Sequence, residues 1–208
     1  NIIYTNIDSI TNKFSELQTL LSTLVTPPHI IAITEINSKH CRYPLQESEL
    51  HLDGYTLYAA NVGIKHLRGI AIYIANIINV TEIQLNTSFN ENVTLSFFGV
   101  ANQFTLSVLY RSPNSALSND LELIQHITEI TKLNNGDKLI VGDFNFPNIN
   151  WDTWSAPDGD RESEKFLDCL RKNFLIQNIH NPTRVRGTQT PHILDLVSVF
   201  ELPGGWGG

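Results

Sequence analysis

Lys138–Asn145 reads KLIVGDFN. Leu139, Ile140 and Val141 form a short apolar run, which reads as a buried strand. Gly142 permits a tight exit from it, and Asp143 and Asn145 follow at once. Three other segments share this feature. Asn6 follows Ile2–Thr5, Glu35 closes HIIAITE, and Asp195 stands in HILDLV. Polar side chains at strand ends can converge at a sheet edge while the sheet holds them rigid. Tyr110, in VLYRSPN, is a phenol at a further strand end.

Working outward, apolar runs of strand length occur at residues 2–4, 29–33, 55–59, 69–75, 80–85, 93–101, 104–109, 138–141 and 193–199. Asn102-Gln103 predicts a tight hairpin turn between two of them. Phe14, Leu17, Leu20, Leu21 and Leu24 fall at helical spacing, and Pro27-Pro28 ends that helix. A second helix is expected over 120–133, with Asn119 as its cap and Gly136 just past its end. Phe166, Leu167, Leu170 and Phe174 mark a third. Hairpins in the middle and helices elsewhere predict an α+β fold. Two packed, mainly antiparallel sheets would be flanked by helices.

The 208 residues suit one domain with a sizeable core. Hydrophobic residues make up 41% and charged ones 17%, an ordinary globular balance. No apolar run approaches the length that spans a bilayer, so no membrane partner is expected. Cys41 and Cys169 lack CxxC spacing and read as reduced structural thiols in an intracellular protein. The net charge of −7 counts against a generic nucleic-acid binder. It counts less if several acids are ligands of a cation. Carboxylates with amide oxygens, and no cluster of Cys or His, make a hard-oxygen site that suits Mg²⁺ or Mn²⁺. Such a site handles phosphoryl chemistry by positioning and charge neutralisation.

The ordered set of motifs resembles the endonuclease/exonuclease/phosphatase superfamily. It is similar above all to the apurinic-like endonucleases of non-LTR, Jockey-like retrotransposons. The residues that carry the likeness are 6–13 (NIDSITNK), 33–35 (ITE), 52–55 (LDGY), 68–73 (RGIAIY), 109–114 (LYRSPN), 141–145 (VGDFN) and 182–195 (PTRVRGTQTPHILD). The resemblance implies a four-layer, DNase I-like sandwich with its active site at one edge. It implies that Glu35 binds Mg²⁺ or Mn²⁺ with Asn6 beside it. Tyr110 would contact the scissile phosphate. Asp143 would position or activate water, or protonate the leaving oxygen, and Asn145 would orient it. Asp195 would orient a catalytic histidine. Thr183, Arg111, Arg184 and Arg186 would meet DNA, the last two from a hairpin spanning 184–192. The implied reaction is nicking of double-stranded target DNA in the nucleus. The implied partner is a reverse transcriptase domain on the same polyprotein.

The family pattern ends in Ser-Asp-His, and this sequence contains no such triplet. The expectation is therefore a domain over 1–199 that lacks its last strand, with a glycine-rich irregular tail at 200–208 and weakened or lost activity. His192 is expected to be a hairpin residue and not a replacement. The alternatives are a catalytically dead remnant, or another superfamily member such as a repair endonuclease or a phosphatase.

Overall fold

The computed structural model describes residues 1–40, 43–98, 102–133, 136–184 and 191–200. One sheet holds β1 (Ile2–Asn6), β2 (Ile30–Thr34), β4 (Ile70–Ala75) and β3 (Tyr55–Ala60), in that order. The other runs β5 (Val80–Glu82), β6 (Asn92–Phe98), β7 (Gln103–Tyr110), β8 (Asp137–Asp143), β10 (Asp195–Phe200) and β9 (Leu175–Gln177). The helices are α1 (Phe14–Thr23), α2 (Leu117–Lys132) and α3 (Arg161–Lys172).

Alternation along the strands builds the layers, because successive side chains point to opposite faces. Ile30 and Ala32 of β2 face the other sheet and meet Val93, Leu95, Leu106 and Val108. Ile31 and Ile33 face the opposite way, into a cluster with Leu21 of α1 and Tyr73. On the far side, Leu109, Ile140 and Leu196 pack under Leu123 and Ile127 of α2 and Phe166 and Leu170 of α3. The order is helix, sheet, sheet, helices: two mixed sheets flanked by helices, as the motifs imply.

Two pairings are parallel, β1 with β2 and β7 with β8. Parallel neighbours need a crossover, and α1 and α2 supply them. This brings the C-terminal ends of four strands to one rim. Tyr110 stands opposite Asp143 in register. The antiparallel β10 begins there, with Asp195 also opposite Asp143. The approach of β7 and β8 leaves no room at Gly142. A Cβ there would lie 1.9 Å from the Leu109 carbonyl oxygen, which gives that glycine a reason beyond its exit turn.

Several boundaries differ from expectation. Phe98 pairs with Gln103, so Gln103 belongs to the strand and not to the turn; residues 99–101 lie outside the described residues. Helix α2 starts at Leu117 without a side-chain cap, and Asn119 Nδ2 donates to Ser115 Oγ from inside the helix. Helix α3 starts earlier than its apolar stripe suggests, because Asp160 caps it through the Ser163 backbone N–H. The short β9 has no sequence signal of its own; it pairs with the end of β10. Cys169 is buried and reduced, while Cys41 and the tail at 201–208 lie outside the described residues. Among the described residues, no helix is long and apolar enough to cross a membrane.

Candidate active site

The rim where β1, β2, β7, β8 and β10 meet carries a cleft of about 220 Å³. Asn6, Asp8, Glu35, Asp143, Thr183, Arg184, Leu194 and Asp195 line it. Asn6 ends β1, and its Nδ2 donates to Asp143 Oδ2 at 2.7 Å. Glu35 follows β2 directly and is 4% exposed. Its Oε1 accepts from Tyr110 Oη at 3.2 Å, and its Oε2 accepts from Arg68 Nη2. The same Arg68 nitrogen reaches Asp8. Asp195 Oδ1 accepts from Tyr4 Oη at 2.7 Å. Thr183 Oγ1 accepts from the backbone N–H groups of Leu194 and Asp195, both at 3.1 Å.

Asp8, Ser9, Glu35 and Asn145 all have left-handed backbone conformations, with φ of 45°, 83°, 58° and 49°. Non-glycine residues in this region cost roughly 1–3 kcal/mol each and persist only where surrounding contacts fix them. Here hydrogen bonds do so: Ser9 N donates to Glu35 O at 2.8 Å, and Asn145 Nδ2 donates to Arg111 O at 2.8 Å.

The electrostatics follow from crowding several carboxylates into a small space. Burial pushes Asp143 up to about 7, and the charges of Asp195 and Glu35 add to the rise. The amides of Asn145 and Asn6 oppose it. Asp143 Oδ1 is buried and accepts no hydrogen bond from the described residues. Burial raises Asp195 as well, against its bonds from Tyr4 and Thr183. Burial and the Asp195 charge raise Tyr4, so its hydroxyl stays protonated and serves as a donor.

The residues singled out from the sequence fall into three groups. Asn6, Glu35, Asp143, Asp195, Thr183 and Arg184 border one cleft. Tyr110 and Asn145 stand behind it, supporting Glu35 and the chain beside Asp143. Arg111, which the resemblance implied would meet DNA, does not line the cleft. Its guanidinium is buried, held by Asp120 at 2.7 and 2.9 Å and donating to the Asn145 carbonyl at 2.7 Å. Arg186 lies outside the described residues, as does most of the hairpin; its described ends, Arg184 and His192, pair in antiparallel fashion. His192 Nδ1 is bonded to the Pro147 carbonyl at 2.9 Å.

Sequence reading missed Arg68, Asp8 and Tyr4. Arg68 and Asp8 lie inside motifs that carry the resemblance, so a signal existed. Arg68 stands two residues before β4, which pairs with β2, so Arg68 falls beside the Glu35 turn.

Two packed sheets flanked by helices, with strand ends that bear carboxylates, amides and a phenol around one cleft, define a DNase I-like sandwich. Residues 104–200 match the family model described as endonuclease-reverse transcriptase. Solved structures agree in fold. The endonuclease domain of TRAS1, a telomere-specific non-LTR retrotransposon, superposes with a TM-score of 0.65 at 15% identity, over 96% of this chain and 84% of that one. The 3′-5′ exonuclease NExo of Neisseria meningitidis gives 0.68 at 16%, over 96% and 86%. The AP endonuclease LMAP of Leishmania major gives 0.68 at 12%, over 96% and 78%. No curated protein matches the sequence. The chain thus shares its fold with proteins of the endonuclease/exonuclease/phosphatase type, and its C-terminal half matches the endonuclease-reverse transcriptase family model. Among these structures, the one of a retrotransposon endonuclease domain covers 96% of this chain.

Proposed function

We propose that this chain is a divalent-metal-dependent endonuclease that nicks double-stranded DNA for retrotransposon insertion. On this reading it acts in the nucleus, and its partner is a reverse transcriptase domain of the same polyprotein. One observation carries the reading. Asp143 is a buried carboxylate at the junction of both sheets, with one oxygen bound by Asn6 and the other without a hydrogen bond among the described residues. A buried unpartnered oxygen in a cleft marks a place for a ligand or a proton.

Among the described residues, no three acidic, imidazole or thiol groups form a ready-made metal cage. Magnesium does not need one: one or two carboxylates suffice, with water and phosphate oxygens completing the shell. Glu35 and Asn6 Oδ1 are hard oxygen donors that fit Mg²⁺ or Mn²⁺. An ion held there would supply charge neutralisation at the phosphate.

The chain's own groups divide the remaining work. Asp143, poised near 7, takes a proton from an attacking water at Oδ1, the ideal range for a general base at neutral pH. Asn6 Nδ2 fixes Asp143 Oδ2, and Tyr110 Oη fixes Glu35 Oε1. Arg68 offsets the charge of Glu35 and Asp8. Arg184 offers a cation at the cleft to a phosphate.

The test is conversion of supercoiled plasmid to open circle in Mg²⁺, leaving a 3′-hydroxyl. Asp143→Asn should slow it by at least ~10²-fold. A folded chain that leaves the plasmid supercoiled in both Mg²⁺ and Mn²⁺ would reject the reading. It would favour a catalytically dead domain instead. One observation points that way: Asp195 is engaged by Tyr4, while His192, three residues before it, is turned to Pro147.

A further inference from the structure

A second cleft, of about 390 Å³, opens beside the first. Lys39, Lys65 and His66 line it, with Pro44, Leu45 and Ile64 as its apolar part. No carboxylate lines it among the described residues, although the chain as a whole carries a net charge of −7. Lys39 and Lys65 make no ion pair among the described residues. Ile64 is 51% exposed at this cleft.

Two chain segments tie this cleft to the active site. One runs from Glu35 to Lys39 and the other from His66 to Arg68. They are joined where Asn37 N donates to Arg68 O at 2.7 Å. The buried Asn37 side chain holds the wall: its Nδ2 donates to the Asn61 and Leu67 carbonyls, and its Oδ1 accepts from Gly63 N. Lys39 stands four positions after Glu35, so the two clefts lie within ~14 Å along the chain. That is about four nucleotides or fewer at 3.4 Å of duplex axis per phosphate of one strand.

We infer that the basic cleft binds a DNA nucleotide flanking the scissile phosphate: Lys39 and Lys65 hold its phosphate, and Ile64 meets its sugar or base. A bare anion would use the cations alone. The joint basic and apolar lining fits a nucleotide, whose charge and apolar face come together. The inference rests on the reading of the first cleft as a DNA site.

The experiment measures binding of a short DNA duplex against salt, with the whole chain carrying Asp143→Asn to prevent cleavage. Adding Lys39→Gln and Lys65→Gln should weaken binding on the order of ten-fold or more. It should also flatten the slope of log affinity against log salt by about 1, since one neutralised phosphate contributes roughly 0.9. Ile64→Ser should weaken binding with the salt slope unchanged. All three residues are exposed, so a thermal melt should show folded variants. If the parent binds DNA and the double lysine variant keeps its affinity and slope, the basic cleft is not a phosphate site. If Ile64→Ser binds as the parent does, the nucleotide contact is overturned. A parent that fails to bind duplex DNA would overturn the DNA reading itself.

Discussion

The side chains of Asn6 and Asp143 meet at 2.7 Å across the two sheets, although 137 residues separate them in sequence. Asn6 is the last residue of β1 and Asp143 the last of β8. The amide donates to the ionised carboxylate and so favours it, opposing the burial that pushes Asp143 up to about 7. Removing the donor should therefore raise Asp143 further. In Asn6→Ala, the acid limb of the nicking rate should move to higher pH by roughly one pH unit, the scale of a lost hydrogen bond to a charged group. A pH–rate profile over pH 5–9 checks this. A limb that stays in place would mean that Asp143 is not the group it reports.

Metal binding can be read without catalysis. A ligand that binds only the folded state stabilises it by mass action. At ten times its dissociation constant, Mg²⁺ or Mn²⁺ should raise the Tm by about 3–6 °C for a domain of this size. Glu35→Gln should abolish the rise. A calorimetric scan with and without EDTA measures it. An equal rise in the variant would remove Glu35 from the ligand set.

Arg111 and Asp120 form a bidentate pair in the interior, and both are nearly inaccessible to solvent. Removing one partner strands the other as a buried charge. Arg111→Ala should destabilise the fold by about 3–5 kcal/mol. Replacing both partners by apolar residues of similar volume should cost far less. Urea titrations of the single and double variants separate these outcomes. A mild single variant with weakened DNA binding would restore the contact that the motif suggested.

Glu91 gives the fold a pH dependence of its own. It is buried, and burial pushes it up to about 7, against a hydrogen bond from Asn119. The sign follows from linkage: between pH 4.5 and 7 the folded chain keeps a proton that the unfolded chain releases. Stability is thus fully present below about 4.5 and falls as pH rises through 7. Asp143 and Asp195 act in the same direction in the metal-free protein. Glu91→Gln should flatten the fall by no more than on the order of 3 kcal/mol. Chemical unfolding at pH 4.5, 6 and 7.5 measures it, and an unchanged slope would show that Glu91 gains solvent or a partner.

The sequence by itself determined the layers and the placement of polar groups at strand ends. Alternation in Ile30–Thr34 and the apolar stripe of α3 encode burial locally, since each face reads out at a fixed period. KLIVGDFN and HIIAITE show a carboxylate leaving a buried strand, and that much needs no partner. Their order with NIDSITNK and YRSPN sufficed to point to the fold. The tertiary structure alone decided which groups touch. The partners Tyr4 with Asp195, Arg68 with Glu35 and Asn6 with Asp143 are 191, 33 and 137 residues apart, and no local period records such distances. It also decided that Arg111, a motif residue beside Tyr110, turns inward. In the sequence Arg111 and Arg184 are equally free cations. Only the fold brings Asp120 against the first, because a charge taken out of water must be paired where it lies.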